Sequence, residues 1–231
     1  MNIKISKSDF IRLYTNRLSE VIIGSKLYGV DDEDSDTDIL VFVEFPRSWN
    51  LEGYPNYHQF HYDNIKNNTQ YIFTDTAQFW MNQRSGDSTI NSDVILFSDY
   101  IDTSLYTDKY KLALCRTQKV IKAYLGFAKR DIKMINDKRK KNKVFHATRS
   151  LYCADRLLDN ELPTLKDIQD YSVMKNPYTV EELKDWEASL RLELRRLFDA
   201  KELKKYHVPR VPDTLYQQLL DANNITEFKY D

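Results

Sequence analysis

Near residue 107 the hydrophobic period of the chain changes, and that change limits the fold more than any other feature. Before it, short β-branched runs alternate with turn-forming residues; after it, apolar residues recur at helical spacing over long stretches. On the early side, VIIGS (21–25) reads as a buried strand meeting a turn, and the run from Asp38 to Glu44 as a central strand that Pro46 ends. QYIFTD (70–75) reads as a further strand, and YHQFHYD (57–63) as an edge strand behind a loop. Residues 7–19 and TAQFWMNQ (76–83) have helical spacing, the former with Ser8 as its cap, while VILF (94–97) is apolar and short. On the late side, Leu112, Cys115, Val120, Ile121, Tyr124, Leu125, Ala128, Ile132 and Ile135 line one side of a helix. A second helix ends before Pro163, and a third opens on Thr179 with Glu182 three residues on, a capping-box pattern. Pro209 and Pro212 bracket a break before a short final helix. The expected class is α+β: a small mixed sheet with flanking helices over 1–105, then a helical C-terminal lobe over 106–231.

Charge narrows the partners. Lys+Arg number 34 and Asp+Glu 35, a formal net charge of -1, so no global basic field attracts nucleic acid and any such contact needs a local patch. The strongest local bias is Lys138-Arg139-Lys140-Lys141 with Lys143, which suits either a solvated inter-helix loop or phosphate contact. Aromatics, at 13%, serve first as core and half-buried filler and second as stacking surfaces for bases. Cys115 and Cys153 lack metal-ligand spacing and form no disulfide framework, which fits small core residues in a reducing compartment. No segment approaches the roughly 20 apolar residues of a membrane span, so the expected location is cytoplasmic. His58 and His61 fall on opposite faces of a strand and have no third ligand near, so zinc is not expected. Neither a G-x-x-x-x-G-K-[ST] loop nor a G-x-S-x-G elbow occurs.

The chemistry concentrates in GSKLYG (24–29), an acidic loop, and Ser35-Asp36-Thr37-Asp38 at the mouth of a strand. Side chains two apart on a strand share a face, so Asp36 and Asp38 project together. Two carboxylates on one face repel unless a cation sits between them, and hard oxygen ligands favour Mg²⁺ or Mn²⁺. Gly24 lets backbone approach a phosphate, and Ser25 adds a hydroxyl and an amide donor. Asp32, Asp34 and Asp36 also have calcium-loop spacing, but the glycine and the bidentate glutamate of an EF-hand are missing at their positions. An acidic surface turn is the plainer alternative.

Gly-Ser, a short spacer, then Asp-x-Asp leading an apolar strand resembles the signature of the DNA polymerase β nucleotidyltransferase superfamily. The spelling GSKLYGVDDEDSDTDI is most similar to the branch described as nucleotidyltransferases of RNA repair pathways, including bacterial and large-phage relatives. TDTAQFWMNQRSGD, IKAYLGFAKRDIKMI and KVFHATRSLYCADRLLDNELP resemble later segments of that branch, so the likeness spans roughly residues 20 to 165. The resemblance implies a nucleotidyltransferase core that moves a nucleoside monophosphate from an NTP to a hydroxyl, at an RNA or tRNA end, in the cytoplasm of the cell or phage host. Small-molecule or protein acceptors, or a weak nucleotide-binding protein, are the alternatives. Asp36 and Asp38 would hold Mg²⁺ (or Mn²⁺), Gly24 and Ser25 would bind the triphosphate, and Lys26 stands where many relatives have Arg. His146 and Arg149, three apart on one helical face, would touch phosphate or acceptor. Active members use a third carboxylate on a neighbouring strand. Gln70 occupies that place here, which leaves Asp75 as the first substitute and Asp63 as the second.

Overall fold

A computed structural model describes residues 2–30, 35–45, 59–86, 89–98, 108–135, 140–174 and 178–205. The chain is α+β, with a five-stranded mixed sheet and several helices, and it divides into two compact units. The first unit contains the residues up to Ile22 together with Asp36–Phe79. Its strands are β1 (Asn2–Lys4), β2 (Ser19–Ile23, whose last residue belongs to the second unit), β3 (Thr37–Phe42), β4 (Gln59–Asn64) and β5 (Thr69–Thr74), in the order β1-β4-β5-β3-β2. β3 runs parallel to β5, β5 antiparallel to β4, and β4 parallel to β1. Helix α1 (Lys7–Thr15) covers one face, where Leu13, Val41, Val43, Phe60 and Phe73 are buried beside Phe10, Tyr62 and Tyr71. Phe10 stacks on Tyr62 with ring centroids 4.1 Å apart. The cap of α1 is Ser6, whose hydroxyl accepts from Asp9 N, and not Ser8.

β4 is an interior strand, not an edge. Three residues, Asn2–Lys4, pair outside it as β1. A strand that short has no visible alternation, so it becomes apparent only through its partner.

The second unit holds Ile23–Ser35 and Trp80–His207. Helix α2 (Thr76–Ser85) begins in the first unit and ends in the second; α3 (Thr89–Phe97), α4 (Asp108–Cys115), α5 (Gln118–Lys133), α6 (Lys140–Leu158), α7 (Leu165–Val173) and α8 (Val180–Asp199) follow. The division therefore falls after Phe79 instead of near 105, because buried polar contacts tie α2 and α3 to the helices that follow. Gln83 Nε2 donates to Leu114 O at 3.0 Å, and Ser92 Oγ donates to Gln83 Oε1 at 2.9 Å. The VILF stretch is helical, and every residue of α3 from 91 to 97 is buried. Burial on every side of a helix erases the periodicity that separates it from a strand.

The long helix expected from 107 to 137 is broken at Arg116-Thr117. Thr117 caps α5, its hydroxyl accepting from Val120 N at 3.2 Å. Arg116 donates to Leu157 O and Leu158 O at the end of α6 and to Glu202 O beyond α8, satisfying carbonyls that helix ends leave open. Helix α7, not foreseen, opens on Thr164, whose hydroxyl accepts from Asp167 N. The capping box at Thr179 and Glu182 forms as expected. The expected final helix after Pro212, His58, Asp32, Asp34, Lys138 and Arg139 lie outside the described residues. Both cysteines are free and buried, and burial pushes both thiols up, which leaves them inert. Among the described residues no helix is long and apolar enough to cross a membrane.

Helices α5, α6 and α8 pack against one another. α5 buries Val120, Ile121, Tyr124, Leu125, Ala128 and Ile132, and α8 buries Leu183, Leu190, Leu194 and Leu197. Gly126 sits exposed in the middle of α5, with nothing within 4 Å of where a Cβ would stand. Gly126→Ala is expected to raise the unfolding free energy by about 0.5–1 kcal/mol, read as a higher denaturant midpoint with an unchanged slope.

Candidate functional site

Strand register decides which sequence candidates meet. Asp38 pairs with Gln70 on β5, and Gln70 pairs with Asp63 on β4. Residues directly across a sheet share a face, so Asp38, Gln70 and Asp63 form one polar row. Ile39 and Tyr71 pack with the α1-side core, so the row lies on the opposite face. Asp36 lies one residue outside β3, near enough for its charge to act on Asp38. Thr37 N donates to Asn68 O at 2.9 Å and so fixes the start of β3 beside the turn that leads into β5.

Asp36 is exposed and Asp38 half-buried. Burial, reinforced by the negative charge of Asp36, pushes the Asp38 carboxyl up to about 6. No side chain among the described residues pairs with either carboxylate. An acid held back from ionising by burial and by a neighbouring acid, with no counter-charge among the described residues, is a donor set that suits a hard divalent cation. The two residues fit Mg²⁺ or Mn²⁺.

The other acids are engaged elsewhere. Asp63 Oδ2 accepts from Lys4 Nζ at 2.6 Å and its Oδ1 accepts from Gln70 Nε2 at 3.0 Å; these hydrogen bonds hold its carboxyl below the usual range. Asp75 does not join the row. It lies past the end of β5, five positions after Gln70, where the chain turns into α2. Its Oδ1 accepts from Gln78 N at 2.6 Å, which makes it the N-cap of α2. Among the described residues no three His, Cys, Asp or Glu side chains cluster for a metal. Asp75→Ala is therefore expected to cost about 1 kcal/mol of stability through the lost cap and to leave nucleotide and metal binding unchanged. Asp75→Asn should cost almost nothing by the same unfolding measurement, since Asn caps as well as Asp.

Gly24 and Ser25 open a 3₁₀ turn, Gly24–Tyr28, in the second unit. Gly24 adopts φ 71° and Gly29, after the turn, φ 65°, a region that side chains rarely enter. A Cβ on Gly29 would also lie 3.0 Å from Gln169 Nε2. Gln169 Nε2 donates to Tyr28 O at 3.0 Å, and Val30 N donates to Ser25 O at 3.2 Å. The Tyr28 ring is buried edge-on to Phe97, with centroids 5.7 Å apart. Lys26 is half-buried within the turn.

Arg149 has another task than the one expected. It is buried, its guanidinium carbon lies 4.5 Å from the Tyr28 ring centroid, and Nη1 donates to Tyr28 Oη and, at 3.4 Å, to Asp93 Oδ2. Tyr124 Oη donates to Asp93 Oδ1 at 2.7 Å. Burial holds the Asp93 carboxyl above its ordinary range in spite of Arg149. This network fastens Tyr28, at the far end of the turn that Gly24 and Ser25 open, and Nη1 of Arg149 is committed to it. His146 is half-buried against Phe145. Burial and the neighbouring Arg149 lower its imidazole to about 4, so it is neutral at neutral pH and offers phosphate no positive charge. Lys143, from the basic run, is occupied by buried Asp131 at 3.0 Å. Asp93 was missed because a single acid in an apolar stretch carries no pattern; its partners lie 56 and 31 residues away.

No protein-family model matches the chain, and no curated protein matches it.

Proposed function

We propose that the chain is a metal-dependent nucleotidyltransferase of the polymerase β type, moving a nucleoside monophosphate from an NTP to a hydroxyl at an RNA or tRNA end. One observation supports it above the rest: Asp36 and Asp38 form a like-charged pair at the start of β3, with no cation among the described residues paired to either. In this reading the acceptor hydroxyl attacks the α-phosphorus and pyrophosphate leaves. Asp36 and Asp38 hold Mg²⁺ (or Mn²⁺), the Gly24 and Ser25 amides and Ser25 hydroxyl donate to the β- and γ-phosphates, and Lys26 adds a positive charge. The chemistry such a metal would supply, held by Asp36 and Asp38, is neutralisation of triphosphate charge and a lower pKa for the attacking hydroxyl. The Arg149-Asp93-Tyr28-Tyr124 network keeps the turn rigid, so the donors are aimed before substrate arrives. A reaction with so little covalent work depends on that positioning.

A second reading, a nucleotide-binding protein with weak turnover, is favoured by one specific feature. The row beside Asp38 continues with Gln70, and the acid beyond it, Asp63, is committed to Lys4 and Gln70. Incubating the chain with α-labelled ATP or CTP, Mg²⁺ and total RNA tests both. Label appearing on RNA supports the first reading. Tight metal-dependent NTP binding with no label on RNA, protein or small molecules selects the second. Action in the cytoplasm belongs to this same proposal.

A further inference from the structure

The outer face of α5 forms an open groove of about 500 Å³, lined by Gly86, Lys119, Lys122, Gly126, Phe127 and Arg130 among others. All of it lies within the second unit. From the groove we infer an RNA-docking surface: it binds the phosphate backbone of a single-stranded RNA segment, the acceptor in the transfer reaction. The acceptor role rests on the proposed nucleotidyltransferase reading; RNA binding by the groove does not.

Four features meet there. Helix α5 carries five cations against one carboxylate, Asp131. That acid is buried and already neutralised by Lys143 at 3.0 Å and approached by Arg130 at 3.4 Å. Lys119 and Lys122 have no acidic partner among the described residues. In a chain of net charge -1 this density is local, not a by-product of composition.

The chain after α8 adds to the same end, since Gln118 N donates to Lys204 O and Lys119 N to Lys205 O. Arg130 lies with its guanidinium carbon 4.4 Å from the Phe127 ring centroid and is more than half exposed. An arginine layered on an aromatic ring is a flat, charged platform on which a base stacks. Gly126 leaves the middle of the groove open, at a position where alanine would be the better helix former.

Lys119 to Arg130 spans about 16 Å at helical rise, the reach of a few nucleotides. A bilayer is the poorer match: the apolar side of α5 is spent in the core through Val120, Ile121, Tyr124, Leu125 and Ile132, leaving no face to insert.

The test uses the full chain and a fluorescent single-stranded RNA of about 12 nucleotides, followed by anisotropy across a salt series. Two variants are compared: Lys119→Glu/Lys122→Glu/Arg130→Glu, which reverses the charges, and Gly126→Leu, which fills the groove and keeps every charge. The triple variant is expected to weaken binding at least about 30-fold and to reduce the salt slope by about 2, the share of three phosphate contacts. Gly126→Leu is expected to weaken binding about tenfold, the scale of one lost stacked base. Thermal melts confirm that both fold. Binding by the triple variant within twofold of the parent overturns the inference, as does parental affinity in Gly126→Leu. Equal affinity of the parent for phosphatidylserine vesicles, lost in the same variants, also overturns it. Binding of a non-hydrolysable ATP analogue with Mg²⁺ is measured alongside. Its retention in both variants separates the groove from the nucleotide site. Its absence in the parent removes the nucleotidyltransferase reading while the RNA result still decides the groove.

Discussion

Arg149→Met is expected to lower the unfolding free energy by about 3–5 kcal/mol. The reason lies less in the lost hydrogen bonds than in what remains. Asp93 would keep a carboxylate at 5% exposure with only hydroxyl donors around it, and burial already holds that carboxyl above its ordinary range. For a domain of ordinary stability, about 5–15 kcal/mol, that is a large share of the total. Removing both charges is a different case. Arg149→Met with Asp93→Leu leaves no orphaned ion and is expected to regain most of the loss in a double-mutant cycle. Denaturant unfolding of the four chains reads the coupling. A double variant no better than Arg149→Met would show that the pair is not the unit that matters. The double variant should still bind NTP more weakly than the parent, because Tyr28 loses the group that holds it and the 3₁₀ turn loses its far anchor.

Asp36→Asn and Asp38→Asn make the opposite trade. Each is expected to lower transfer by at least about 100-fold, since even groups that only support metal ligands cost 10–100-fold when removed. Without metal, however, Asp38→Asn should be more stable than the parent. The unfolded chain ionises Asp38 near 4, whereas the fold keeps its proton until about 6. Between those values the native state binds more protons than the unfolded one, so parental stability falls as pH rises from about 4 through about 6. Asparagine removes that loss. At pH above 6 the gain is about 1 kcal/mol once solvent screening at a half-buried site is allowed for, or about 2–4 °C in Tm for a chain of this size. Below pH 4 the two chains should converge. Mg²⁺ or Mn²⁺ should stabilise the parent and leave the variant unmoved. A site that costs stability without its ligand is the mark of function over folding.

Much of the sheet could be read in advance because β2, β3 and β5 are short apolar runs bounded by turn-forming residues. Ile39, Val41, Tyr71 and Phe73 point to one side and Asp38 and Gln70 to the other; Asp36 lies just off the strand and acts on Asp38 through its charge. The choice of third acid did not follow, because it depends on register across strands. Asp75 follows the same apolar run as Gln70 and so looks close in sequence, yet it lies past the end of β5 as the cap of α2, and the acid in line with Asp38 is Asp63. β1 was hidden for a related reason, three residues that acquire meaning only beside β4. In the helical unit the capping residues Thr179 and Glu182 were visible, since caps are local. Arg149 misled because a cation on a helix face suggests a ligand, while its partners Tyr28 and Asp93 are distant in sequence. Spacing reveals what neighbours do; it is silent on contacts closed over a hundred residues.

The claim beneath all of this is that two acids at the mouth of β3 share a divalent cation with a nucleoside triphosphate. Titrating Mn²⁺ into the full chain with a non-hydrolysable ATP analogue, and following free Mn²⁺ by electron paramagnetic resonance, measures it without any acceptor. The parent should take up Mn²⁺ saturably beyond what the analogue binds by itself, and Asp36→Asn/Asp38→Asn should fall back to the analogue's own level. Equal uptake by the two chains would contradict the account.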